Sequence, residues 1–216
     1  MKIIFFATIL FLSTHFVSGQ IAFSDFEASL ELNNLARAEF NKKQYNTAIN
    51  YLQKAIKLDS TNRSAHINLC LAYYQKKEFE LMYSHLEQAK QIFLEDDEIF
   101  YHSGNALQKL GKLSDAIDSY SQAIKYSKVN GEDFPLVYAY YLNRGICFFH
   151  QQKYELALED FNYTLKLNEN SSPAYSNRGH IYFILKKTDE ACADWKRAKE
   201  LGESKVSPYI TKHCKN

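Results

Sequence analysis

Leu142-Asn143-Arg144-Gly145 is followed 34 residues later by Ser176-Asn177-Arg178-Gly179. Working backwards, the same register holds Tyr101-His102-Ser103-Gly104, Ile67-Asn68-Leu69-Cys70 and Asn33-Asn34-Leu35-Ala36. Successive steps are 34, 34, 41 and 34 residues. Each block leads to further small residues at fixed distances, such as Ala48 and Ala55, or Ala116 and Ala123. A self-similar period of this length marks an array of stacked supersecondary units. The units are about 29–62, 63–96, 97–130, 138–171 and 172–205.

The residue types explain the spacing. A small residue at the eighth place of each unit (Ala36, Cys70, Gly104, Gly145, Gly179) lets a second helix cross closely. Large residues fill the gaps between, among them Tyr73, Leu107, Phe148 and Tyr182 on the first helix, and Leu52, Leu86, Tyr120, Phe161 and Trp195 on the second. Composition agrees. The chain has 16 Tyr and 15 Phe but only 7 Gly and 3 Pro, which favours long helices with bulky contacts over a many-turned β fold. Hydrophobic residues are 46% and charged residues 24%, too apolar for disorder. Lys plus Arg is 26 against 25 for Asp plus Glu, so no basic surplus exists to neutralise nucleic-acid phosphates.

The first residues are a separate object. Met1-Lys2 is a short basic start, Ile3 to Leu12 is apolar, and Val17-Ser18-Gly19 suits a signal peptidase. The apolar run is well short of the ~20 residues that span a bilayer. The expectation is a signal peptide over 1–19, a mature domain over 20–216, and no transmembrane segment after cleavage. The expected compartment is the periplasm, with secretion as the alternative. Asn62-Arg63-Ser64, Asn162-Tyr163-Thr164 and Asn170-Ser171-Ser172 keep a eukaryotic secretory origin open.

Five units in phase resemble the tetratricopeptide repeat (TPR). The resemblance implies an all-α, right-handed α-solenoid of five helix pairs, closed by a C-terminal capping helix over about 207–214. Ser24 with Glu27 predicts a capping box that starts the first helix near Asp25. In the 131–137 insertion, Asp133 is expected to cap the fourth unit's first helix and Pro135 to lie in its first turn.

The resemblance also implies a concave groove lined by places two, five, six, nine, twelve and thirteen of each first helix. Place six carries Asn34, Asn68, His102, Asn143 and Asn177; place twelve carries Phe40, Tyr74, Phe149 and Phe183, with Gln108 in the third unit. Tyr101 stands at place five, and Arg37, Asn105 and His180 at place nine. Amides donate and accept, which suits an extended peptide backbone, and aromatics offer rigid apolar area. The alternative is structural: place-six amides tie neighbouring helices, and place-twelve aromatics pack between units. Place five holds no Lys, so the family's clamp for acidic chaperone tails is not expected. Arg144 and Arg178, at place seven, read as packing residues in preference to anion contacts.

Four cysteines remain. Cys70 and Cys147 read as small buried groups. Cys192 faces inward, towards the final helix that ends at Cys214. An exported chain can form a disulfide there, and the tail resembles those of exported bacterial TPR proteins. A Cys192–Cys214 bridge is one reading; two unbridged thiols are the other.

No nucleophile elbow, metalloprotease motif, phosphate loop or Cys-x-x-Cys occurs. His102, His150 and His180 fall on concave places without the three or four converging ligands that zinc needs. The expectation is therefore a non-enzymatic binding module with no cofactor and no metal, whose partner is another protein or peptide and not nucleic acid. Two alternatives stand beside it: a cell-envelope assembly component using its convex face or edges, and a glycan or cell-wall binder.

Overall fold

A computed structural model of the protein describes residues 22–131 and 136–214. The expected signal peptide lies outside the described residues, as do the helix-capping roles of Asp133 and Pro135.

Among the described residues the helices are α1 (Phe23–Asn41), α2 (Tyr45–Leu58), α3 (Arg63–Lys76), α4 (Phe79–Ala89), α5 (Asp97–Lys109), α6 (Leu113–Asn130), α7 (Val137–His150), α8 (Tyr154–Leu167), α9 (Ser172–Ile184), α10 (Thr188–Glu200) and α11 (Ser207–His213). A 3-10 turn over Ser204–Val206 precedes α11, and no strand occurs among the described residues. Helices pair in order. Ser29, early in α1, donates its hydroxyl to the carbonyl of Ala55, late in α2, so the two run antiparallel. Alternate helices α1, α3, α5, α7 and α9 touch in sequence, which stacks the pairs into an α-solenoid.

The eighth-place residues behave as their size requires. A Cβ built on Gly104 would meet the Tyr120 ring at 2.5 Å, one on Gly145 would meet Phe161 at 2.8 Å, and one on Gly179 would meet Trp195 at 2.8 Å. All three partner rings are fully buried. Ala36 and Cys70, at the same place, are also fully buried.

Each turn within a pair puts its fifteenth-place residue in the left-handed region: Lys43, Lys77, Gly111, Gln152 and Lys186, with φ between 59° and 76°. This single residue reverses the chain between α1 and α2 and in every later pair. α6 is longer than the other second helices and is capped by Gly131, whose φ of 114° only glycine adopts cheaply.

The start of α1 corrects the capping-box expectation. The helix begins at Phe23 with Ala22 as its N-cap, and no side chain caps it. Ser24 lies inside the first turn, so Glu27 has no cap to complete. Genuine side-chain caps stand at the unit junctions. Asn62 accepts from the Ala65 amide, and Asp96 accepts from those of Glu98 and Ile99.

Candidate functional site: a groove between three first helices

A groove of about 1040 Å³ opens between α3, α5 and α7. Helix α3 contributes Leu71, Tyr74 and Gln75; α5 contributes Glu98, Tyr101, His102, Asn105, Gln108 and Lys109; α7 contributes Asn143, Ile146 and His150. Helical periodicity explains the set, since places two, five, six, nine, twelve and thirteen share one face. Of the residues anticipated from sequence, Tyr74, Tyr101, His102, Asn105 and Asn143 come together here. Leu71, Gln75, Ile146 and Lys109 were not singled out, although places nine and thirteen point to them.

The polar floor is tightly connected. The Asn143 amide donates to Asn105 Oδ1 at 2.9 Å, and the Tyr120 hydroxyl donates to the same oxygen at 2.9 Å. The Tyr101 hydroxyl is within reach of both amides, and burial raises its pKa. Towards one end, Arg63 pairs with Asp96 and with Glu98, the latter at 2.8 Å. His102 Nε2 stands 3.6 Å from Glu98 Oε1. His102 first, and Arg63 after it, hold the Glu98 carboxyl below the usual carboxylate range. Its charge is therefore already matched. Lys109 places its ammonium 5.7 Å from the centre of the Tyr74 ring.

The remaining anticipated residues divide. Arg37, Phe40 and Asn68 line a smaller hollow at the first unit, about 180 Å³ in volume. Asn68 donates to Asn33 at 2.9 Å, and Asn34 is exposed beside it. Phe40 packs edgewise on Tyr45 and Tyr74 on Phe79, and Phe149 lies tilted against Tyr154. Place-twelve aromatics thus brace the turn of their own pair while leaving part of each ring exposed. Asn177 turns back to the Pro173 carbonyl at 2.8 Å.

His180 and Phe183 belong to the end cap. Tyr209 of α11 stacks edgewise on His180 at 4.7 Å, and His213 lies 4.4 Å from Phe183. The cap covers the places where the sequence reading put groove contacts. Beneath it Trp195 is completely buried. Cys192 and Cys214 form a disulfide, with 5.5 Å between their Cα atoms, that ties the end of α11 to α10. Cys70 and Cys147 are free, buried thiols; burial pushes the Cys70 thiol well up and takes that of Cys147 to about 12, which leaves both protonated and unreactive.

Arg144 and Arg178 are structural. Each makes a two-pronged contact with an aspartate of its own pair, Asp160 and Asp194. Those aspartates were not anticipated. A signal existed: Arg at place seven and Asp at place twenty-three occur together in the last two units and in no other. The acidic run Glu95-Asp96-Asp97-Glu98 is likewise structural, with Asp97 accepting from Asn130 and Tyr140. Among the described residues no group of three or more His, Cys, Asp or Glu could hold a metal ion. No helix among them is long and apolar enough to cross a membrane.

Tetratricopeptide repeat family models match residues 101–172 and 172–202, and a TPR repeat model matches 36–77. Human RNA polymerase II-associated protein 3 is 32% identical over 127 residues, covering 59% of this chain. The chain spans only 17% of that protein's length. Among solved structures, PilF of Pseudomonas aeruginosa superposes with a TM-score of 0.74 at 18% identity, over 84% of this chain and 79% of that one. YrrB, described as a TPR protein with an unusual peptide-binding site, gives 0.66 at 19% identity, over 86% and 93%. At these identities the likeness concerns the fold.

Proposed function

The chain belongs to the tetratricopeptide repeat family, and from that premise we propose that it is a non-enzymatic interaction module holding an extended segment of a partner protein in the groove between α3, α5 and α7. The observation that carries this reading is the connected amide floor. Asn105 and Asn143 are fixed by each other and by Tyr120 in a cleft that also presents Leu71, Tyr74 and Ile146. Preformed polar groups amid apolar walls are what a recognition cleft requires. The YrrB precedent supports a peptide as occupant.

The test is competitive. A partner captured by mature chain should be lost with Leu71→Glu or Asn143→Ala and retained with Leu81→Ser on α4, which is outside the groove. Retention by the groove variants and loss with Leu81→Ser would refute the proposal.

A second reading, an assembly component, rests on α1. Phe23 and Phe26, at the end of the solenoid ahead of the first unit, are 73% and 44% exposed. Phe23→Ser with Phe26→Ser should abolish assembly if that reading holds and leave groove binding intact if it does not.

Export is part of the proposal. The leader supports it, and the Cys192–Cys214 disulfide suits an oxidising compartment. Mass spectrometry of exported protein should find Gln20 as the first residue; Met1 in mature material contradicts it.

A further inference from the structure

Resting on the groove reading above, we infer that the segment this groove takes is uncharged and apolar in its central side chain, and that Asn105 is the residue that holds its main chain. The first argument is charge. Across the concave places of all five units, the only Asp, Glu, Lys or Arg residues are Arg37, Glu98 and Lys109. Glu98 is committed to Arg63 and His102. Lys109 lies over Tyr74. Arg37 is outside this groove, in the hollow of the first unit. A basic segment would meet no unmatched carboxylate, and an acidic one would meet a single lysine. Either would surrender its hydration without the partners that offset it.

The second argument is shape. Leu71 on α3 and Ile146 on α7 enter from the two flanking helices, and Asn105 stands between them on α5, all three at place nine. Leu71 is 37% exposed, so it has apolar surface still to bury. A Leu-, Ile-, Met- or Phe-type side chain between Leu71 and Ile146 would cover it.

The third argument is the direction of the Asn105 amide. Its oxygen accepts from Asn143 and from Tyr120, which fixes the carboxamide with its NH2 group on the other side. That group carries two N–H donors. The Tyr101 hydroxyl takes at most one of them. The other is placed to donate to a backbone carbonyl of a bound segment. Because the amide is already held, binding costs little ordering.

The experiment starts from a phage-displayed random dodecapeptide library selected on the folded mature chain. The selected peptides, made synthetically, are titrated against wild type, Asn105→Ala, Asn105→Asp, Ile146→Ala and the control Leu81→Ser, each checked for helix content. The expected consensus is apolar and free of Asp, Glu, Lys and Arg at its centre. Both Asn105 variants should weaken binding roughly tenfold, the scale of one lost buried hydrogen bond. Ile146→Ala should weaken it, and Leu81→Ser should not. An acidic or basic consensus that still needs Ile146 overturns the inference while leaving the groove reading standing. So does unchanged affinity in a folded Asn105→Asp, with Asn105→Ala and Ile146→Ala as backstops if that variant misfolds. Peptides that ignore every groove variant, or a selection that yields none, overturn both.

Discussion

Arg178 holds Asp194 with two parallel N–H···O contacts of 2.7 Å and, with its third nitrogen, reaches back 2.7 Å to Asn162 of the preceding pair. One unit earlier Arg144 repeats the arrangement, gripping Asp160 at 2.9 and 2.7 Å and reaching Ser121 at 3.1 Å. The same two places therefore bolt first helix to second helix and each pair to the one before. Burial pushes the Asp160 carboxyl above its ordinary range even with Arg144 against it. These bridges thus fix register more than they add net stability.

Removing one partner is a different matter, because it strands a buried charge. Asp194 is 5% exposed. Arg178→Met alone, which leaves Asp194 unpaired, should destabilise the C-terminal pairs by roughly 3–5 kcal/mol, while the paired change Arg178→Met, Asp194→Leu should cost much less. Urea unfolding of the two variants decides the point; equal losses would show that packing and not the stranded charge dominates.

The glycines give a steric prediction. A Cβ on Gly145 would sit 2.8 Å from Phe161 and 3.1 Å from Asp160 Cβ. Gly145→Ala should cost roughly 1–3 kcal/mol through overpacking, whereas Gly111→Ala has open space and only the left-handed backbone to resist it. Thermal melts of both should separate, with Gly145→Ala the lower.

The end cap should depend on its disulfide. Helix α11 spans seven residues and buries none of them fully, and so short a helix has little stability of its own. The Cys192–Cys214 bridge closes a separation of 22 residues, for which chain entropy gives about 3 kcal/mol. Cys214→Ser should red-shift the emission of Trp195, the only tryptophan, and leave the first pairs folded, since each contacts only its neighbours. An unshifted spectrum would show that Tyr209 and Val206 hold the cap unaided.

Acid should weaken the second unit. His66 and His85 stack at 4.9 Å between α3 and α4, with Phe93 edge-on to His66 at 5.2 Å. The buried His66 Nδ1 and His85 Nε2 have no hydrogen-bond partner. Burial lowers the pKa of His66 and takes that of His85 down to about 4. The folded values lie below the ordinary ~6.5, so the unfolded chain takes up protons first. This part of the stability is complete above about pH 6.5 and is lost as pH falls towards 4. His85→Phe should flatten that slope in urea midpoints measured from pH 7 to 4.5; an unchanged slope would place the loss in other groups.

Much of this was legible in the sequence, and the reason is physical. Gly104, Gly145 and Gly179 report helix crossings because only small residues fit, so the repeat register could be read from them. The groove amides at Asn105 and Asn143 followed from the places that the tetratricopeptide resemblance assigns to the concave face. What escaped notice depends on contacts that no repeat encodes. His180 and Phe183 occupy groove places, yet the non-repeating tail lays Tyr209 and His213 on them. Helix α1 starts at Phe23 with no side-chain cap, and the capping-box pattern of Ser24 and Glu27 went unused. Asp160 and Asp194 could have been found by asking which place changes together with Arg at place seven.

The most direct test of the groove as the binding surface is site-specific photo-crosslinking in the cells that make the protein. A photoreactive residue is placed in turn at Ile146 in the groove and at Leu81 on α4. The account predicts a discrete protein adduct from position 146, competed by the peptides selected above, and none from position 81. An adduct from position 81 alone would contradict it.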